Sequence, residues 1–138
     1  MGDLTNDQRA FLRDHHRAVL ATRRRDGGLQ TSPITLALDD ADRILISTTS
    51  RSAKARNLAK DARAVLTVVN DGWFGPWAHV DGTVEIVRLP DALELLVDYY
   101  RRARGGEEHP DWAEYRAAMV EQDRVVLRVT PERVVLTG

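Results

Sequence analysis

No cysteine occurs among the 138 residues. That excludes disulfides, thiolate nucleophiles and cysteine-ligated zinc or iron–sulfur centres. Long apolar runs are missing too, since no stretch approaches the roughly 20 residues a membrane helix needs. The first segment, MGDLTNDQRAFLRD, is acidic and mixed, without the basic, apolar and small-residue regions of a secretory signal. The expectation is a soluble cytoplasmic protein. A large excess of one charge is also absent. The net charge of −1 argues against a nucleic-acid-binding domain, which is usually strongly basic. The histidines His15, His16, His79 and His109 lack clear metal-ligand spacing, so no metal is expected. There is no Gly-rich phosphate loop, zinc-protease helix or nucleophile elbow. If the chain is an enzyme, its reactive chemistry belongs to a bound cofactor.

What is present describes one globular domain over residues 1–138, with 43% hydrophobic and 30% charged residues. Thr5 followed by Gln8 predicts a capped helix through about His15. Strands are expected at 17–25 and 30–38, joined by the Asp-Gly-Gly turn. Pro33 cannot donate to a ladder, so its position is an edge or a bulge. Further strands are expected at 43–49, 62–69 and 77–87. On the last of these, Ala78, Val80, Gly82, Val84 and Ile86 share one face, and Trp77, His79, Asp81, Thr83 and Glu85 the other. Helices are expected at about 53–61, from Pro90 to Gly105, and from Pro110 onward. Two last strands, 124–130 and 133–138, pivot at Pro131. Seven strands and four helices with hairpin-length early turns read as α+β, a mainly antiparallel and closed or partly open β-barrel.

Three motifs carry chemistry. The first is TTSRSAKARNLAKDARAVLTV, residues 48–68, where Arg51, Lys54, Arg56, Lys60 and Arg63 face one acid, Asp61. Ser52 is a plausible N-cap for the helix. Lys54 and Arg56 near a helix start oppose its dipole by some tenths of a kcal/mol each. They make sense if an anion shares the site with the bare backbone N–H groups and the hydroxyls of Thr48, Thr49, Ser50 and Ser52. A solvated helix face whose bases pair with nearby acids is the other reading, and the stretch alone leaves both open. The second motif, GGLQTSPITL, places Gln30, Thr31 and Ser32 beside Pro33. Free backbone donors there could meet a polar planar ring, or the segment is a decorated edge strand. The third, DGWFGPWAHVDGT, sets Trp73, Phe74 and Trp77 on a Gly/Pro loop. These aromatics could cover a planar ligand, pack on a partner subunit, or plug the core. His79 could donate a proton or serve structure.

In this order, VLATRRRDGGLQTSPITLAL, ILISTTSRSAKARNLAKDARAVLTV, DGWFGPWAHVDGTVEIV and HPDWAEYRAAMVEQDRVVLRVTPERV resemble the pyridoxamine 5′-phosphate oxidase-like split β-barrel superfamily. Within it, the chain is most similar to the actinobacterial branch that binds the deazaflavin coenzyme F420, the flavin/deazaflavin oxidoreductase B group. The resemblance covers roughly residues 5 to 136, and AKARNLAKDARAVLTV is its most specific piece. It implies an FMN-binding-like split barrel, homodimeric, with two cofactor sites at the interface. It places the phosphate-binding lysine on Lys54, with Arg56 and Asn57 beside it and Ser52 among the neighbouring hydroxyls. Ser47, Thr48 and Thr49 border the phosphate. Gln30, Thr31, Ser32 and Pro33 line the ring, and Trp77, with His79 as a candidate, reaches in from the partner. Ser52 stands where many relatives carry arginine, Pro33 where they often carry asparagine, and Ala62 where the usual run has proline. The implied function is hydride transfer from reduced F420 to a planar unsaturated or quinone-like small molecule. The alternatives are an FMN enzyme of the pyridoxamine-phosphate-oxidase type, a non-catalytic F420 or haem binder and, last, nucleic-acid binding.

Overall fold

The computed structural model describes residues 3–138. The chain begins with α1 (Asn6–Asp14). The Thr5 hydroxyl accepts from the Gln8 N–H at 3.1 Å, and the Gln8 side chain accepts from the Thr5 N–H at 3.0 Å. This reciprocal cap fixes the helix start. It also aims Phe11 and Leu12, both buried, into the barrel core.

Six strands follow: β1 (Arg17–Arg23), β2 (Leu29–Leu38), β3 (Ile44–Thr49), β4 (Arg63–Val69), β5 (Trp77–Val87) and β6 (Arg124–Thr137). Between β3 and β4 lies α2 (Ala53–Lys60), and between β5 and β6 lie α3 (Ala92–Ala103) and α4 (Trp112–Glu121). All neighbouring strands are antiparallel, and they close in the order β1-β2-β3-β6-β5-β4. The architecture is therefore the expected α+β antiparallel barrel. Alternation decides which side chains fill it. Leu20, Leu36, Ile46, Leu66, Val80 and Leu127 point inward and are almost fully buried. On β5 the face expected to be apolar is the inner one.

The strand count corrects the sequence reading. Residues 124–137 form one strand, not two split at Pro131. Asp81 pairs with Arg133 and Gly82 with Pro131, so Glu132 is an extra residue that β6 bulges out. A bulge places the missing Pro131 N–H where no ladder bond is lost. Gly82 makes the close approach possible. A Cβ there would lie 2.6 Å from Val129 Cγ1 and 2.8 Å from the Thr130 carbonyl oxygen. The third helix also begins later than expected, at Ala92, two residues past Pro90.

Helices α3 and α4 cover the outside of β3 and β6 through a second apolar cluster of Leu45, Ala92, Leu96, Met119 and Val126. The Tyr115 hydroxyl ties the pair by donating to the Leu96 carbonyl at 2.9 Å. Tyr100, His109, Trp112 and Tyr115 stack on one another beside it, with ring centroids 5.1–5.6 Å apart. Among the described residues no helix is long and apolar enough to cross a membrane.

Candidate functional site

The barrel is pinched shut between β2 and β3 by three residue pairs only: Leu36 with Ile46, Ala37 with Leu45 and Leu38 with Ile44. Continued in the same register, Thr35 would meet Ser47 and Ile34 would meet Thr48, but the two strands part there. All four of these residues line one cavity of about 670 Å³. The split in the barrel is the site.

Strand β2 keeps its pairing with β1 through this region, with Pro33 opposite Val19. The Leu36 N–H donates to the His16 carbonyl at 2.8 Å, which fixes the phase of that ladder. By antiparallel alternation, Thr31, Pro33 and Thr35 turn their backbone polar groups the other way, toward the split. Proline has no N–H to leave bare on that edge. Pro33 is thus an edge position within a regular ladder. Tyr99 of α3 occupies part of the gap. Its hydroxyl donates to the Thr35 carbonyl at 2.9 Å. Burial pushes its phenol above the usual range, against a smaller opposing effect from the Ser47 backbone, so Tyr99 stays a neutral donor.

One end of the cavity is cationic. Lys54 comes from the first turn of α2 and Arg124 from the start of β6, and both line the cavity beside Ser47 and Thr48. Thr48 is buried and Ser47 partly so. Among the described residues neither Lys54 nor Arg124 has a carboxylate partner; Arg124 Nε donates only to Gln122 at 2.9 Å. The Ser52 hydroxyl accepts from the Ala55 N–H at 3.2 Å and so caps α2, whose first turn holds no acid. Of the five bases in the 48–68 stretch, Arg63 has a carboxylate partner, bonding Asp61 at 2.7 Å. The reading of a helix face neutralised by nearby acids therefore fails at Lys54.

The other end is formed by Arg17, Val69 and the loop 70–73, with Trp73 at the mouth. Asn70 holds that loop. Its amide donates to the Phe74 and Pro76 carbonyls, each at 2.9 Å, and its oxygen accepts from the Gly72 N–H at 2.8 Å. Arg17 and Asp71 lie 3.8 Å apart across the rim.

Of the residues singled out from the sequence, Pro33, Ser47, Thr48, Lys54 and Trp73 are brought together in this cavity. Gln30, Thr31 and Ser32 continue along β2 away from its lining, and Thr49 follows Thr48 at the end of β3. Arg56 is exposed on α2. The Asn57 amide donates to the buried Thr22 hydroxyl at 3.1 Å and pins α2 to β1. Trp77 and His79 stand on the outer face of β5, outside the cavity lining. His79 Nε2 lies 3.0 Å from an Asp81 carboxylate oxygen, and Arg133 reaches the same oxygen at 3.4 Å. Burial pushes the Asp81 carboxyl up, but His79 and Arg133 together leave it below its usual range. Sequence reasoning missed Tyr99, Arg124, Arg17 and Asn70. The first two arrive from segments about 50 and 75 residues beyond β3, and no local pattern marks them.

The fold and the site together are a split antiparallel barrel with a cation-ended cavity at the split. The sequence matches the pyridoxamine 5′-phosphate oxidase family over residues 4–138, and the chain belongs to that family. Solved structures share the fold. A protein described as an F420 reductase is 23% identical with a TM-score of 0.72, the match covering 96% of this chain and 98% of that one. The conserved hypothetical protein Rv2991 from Mycobacterium tuberculosis is 22% identical, TM-score 0.78, covering 97% and 84%. General Stress Protein 26 from Bacillus anthracis is 14% identical, TM-score 0.62, covering 92% and 88%.

Proposed function

We propose that this chain is an F420-dependent oxidoreductase whose acceptor is a planar unsaturated or quinone-like small molecule. The observation that carries the reading is the pair Lys54 and Arg124, two cations without carboxylate partners among the described residues, at one end of a cavity whose middle is an unpaired strand edge. These residues fit the cofactor. Lys54, Arg124 and the Ser47 and Thr48 hydroxyls would hold the phosphate by charge-assisted hydrogen bonds. The β2 edge at Pro33 to Thr35 would lie along the ring, with Gln30, Thr31 and Ser32 extending that edge. When bound and reduced, a deazaflavin supplies a hydride, so no protein nucleophile is required. The chain's own contribution is to fix the ring and leave one face for the acceptor. The exposed bases Arg56 and Lys60 extend the positive field for a glutamate tail.

The cofactor site is completed in this reading by a second copy of the chain. The outer face supports it: Pro33, Val19, Thr67, His79 and Val135 form one straight row across five strands. Val19, Val65, Trp77 and Val135 are partly exposed on this face, beside the polar cluster of His79, Asp81 and Arg133. Two members of the row, Val19 and Pro33, also line the cavity, so the site opens onto the face. Trp77 and His79 would then reach the partner's ring.

Titration of the apo-protein with F420 and with FMN, followed by cofactor fluorescence, tests the reading. F420 is expected to bind the more tightly. Tight binding of FMN alone would point to a flavin enzyme of the pyridoxamine-phosphate-oxidase type, and binding of neither would remove the cofactor claim. F420 binding without turnover on any acceptor would leave a carrier.

A further inference from the structure

The loop between β4 and β5 holds a bulky residue in a backbone conformation that bulky residues avoid. Trp73 has φ +74°. This left-handed region costs a side chain with a Cβ about 1–2 kcal/mol, and a tryptophan there is a genuine outlier. Strain of this kind persists where surrounding structure enforces it. Here Asn70 does so through its three side-chain hydrogen bonds, and its carbonyl accepts from the Trp73 N–H at 3.1 Å. The result is a tryptophan 64% exposed that still lines the cavity. The neighbouring Phe74, 85% exposed, does not line it, nor does Trp77.

The position of Trp73 along the cavity says what it meets. The cationic end lies at β3 and α2, while Trp73 follows β4. In the barrel order, β3 and β4 are separated by β2 and β1. Three strand spacings put about 14 Å of sheet between the two ends. A phosphate held at Lys54 and a ring along the β2 edge fill the near and middle parts. The indole is left at the far rim, where a second molecule would enter.

We propose that Trp73 is the acceptor-binding wall of the site, a rigid aromatic face on which a planar conjugated substrate stacks. The proposal rests on the cofactor reading above for the order of occupants. It gives the strained, Asn70-held loop a role, that of presenting Trp73 to the cavity. It also makes Asn70 a positioning residue, acting through the loop it holds.

Menadione, a planar quinone, serves as the probe, with binding to the apo-protein measured by calorimetry and F420 binding measured separately by fluorescence. Trp73→Ala is expected to weaken menadione about tenfold, as loss of one aromatic stack of ~1.4 kcal/mol implies. Trp73→Leu keeps the apolar bulk and is expected to show a similar loss, whereas Trp73→Phe retains most of the affinity. Phe74→Ala is expected to match the unmodified protein, and F420 affinity to change little in the Trp73 variants. Menadione affinity unaltered in both Trp73→Ala and Trp73→Leu, or no menadione binding to the unmodified protein, would overturn the assignment. So would an equal loss of F420, which would make Trp73 a cofactor residue. If the unmodified protein binds menadione through Trp73 but binds no F420, the cofactor reading fails and the wall remains.

Discussion

Lys54 sits in the first turn of α2 and Arg63 opens β4 just beyond that helix, and their surroundings separate their roles. Arg63 spends its guanidinium on Asp61 at 2.7 Å and, with the Arg63 backbone N–H, holds that carboxyl down to about 2. Arg63 is exposed and Asp61 only partly buried, so the pair contributes little to stability. Among the described residues Lys54 has no such partner, and it lines the cavity at the split. Tyr115 offers a titration that tests the helical cover. Burial, reinforced by Tyr99, pushes its phenol up to about 12 from an ordinary 10. The folded state therefore keeps the proton longer than the unfolded chain. That stabilisation is fully present below pH 10 and is lost as pH rises through about 12. Tyr115→Phe should cost about 1 kcal/mol at neutral pH through the lost bond to Leu96. Its urea unfolding should lose stability less steeply than the unmodified chain between pH 10 and 12. Parallel pH curves would contradict the assignment.

At the level of the elements, what could be read from the sequence followed local chemistry. The Thr5–Gln8 cap, the Ser52 cap, the inward face of β5 and the edge character of Pro33 all rest on neighbours within a few residues. The strand break placed at Pro131 did not survive, because a proline can sit in a bulge where the partner strand offers a glycine. That partner, Gly82, lies about 50 residues away, and only the fold brings it opposite. Gly82→Ala should therefore destabilise by about 1–3 kcal/mol through overpacking against Val129 and Thr130. Equilibrium denaturation with the slope unchanged would register it, and a shift within error would mean the strands can separate at no cost. Ser52→Ala should cost about 1 kcal/mol by loss of the α2 cap. It should also weaken ligand binding, because α2 carries Lys54. A stability loss with ligand affinity untouched would separate the helix from the site.

For the whole molecule, half of the candidate site was legible and half was not, for one reason. Residues on consecutive elements, Pro33, Ser47, Thr48 and Lys54, could be grouped by motif order. Tyr99 and Arg124 join them only when the barrel closes through the pairing of β3 with β6, and Trp73, already marked by its aromatic loop, reaches the same cavity through the pairing of β1 with β4. The outer face makes a prediction at this scale as well. Light scattering should give a particle of twice the 15.5 kDa chain mass, and Val65→Asp, which sets a second carboxylate opposite Asp81 on the outer face, should shift it toward the single chain. A single-chain mass for the unmodified protein would contradict the proposed dimer. If Lys54 anchors a phosphorylated ring at the split, F420 affinity measured for the unmodified protein and for Lys54→Ala registers it. Tight binding is expected in the unmodified protein, falling in the variant by about 1–3 kcal/mol, the value of a lost charged hydrogen bond, roughly fivefold to more than a hundredfold in dissociation constant. Equal affinity in the two proteins would contradict it.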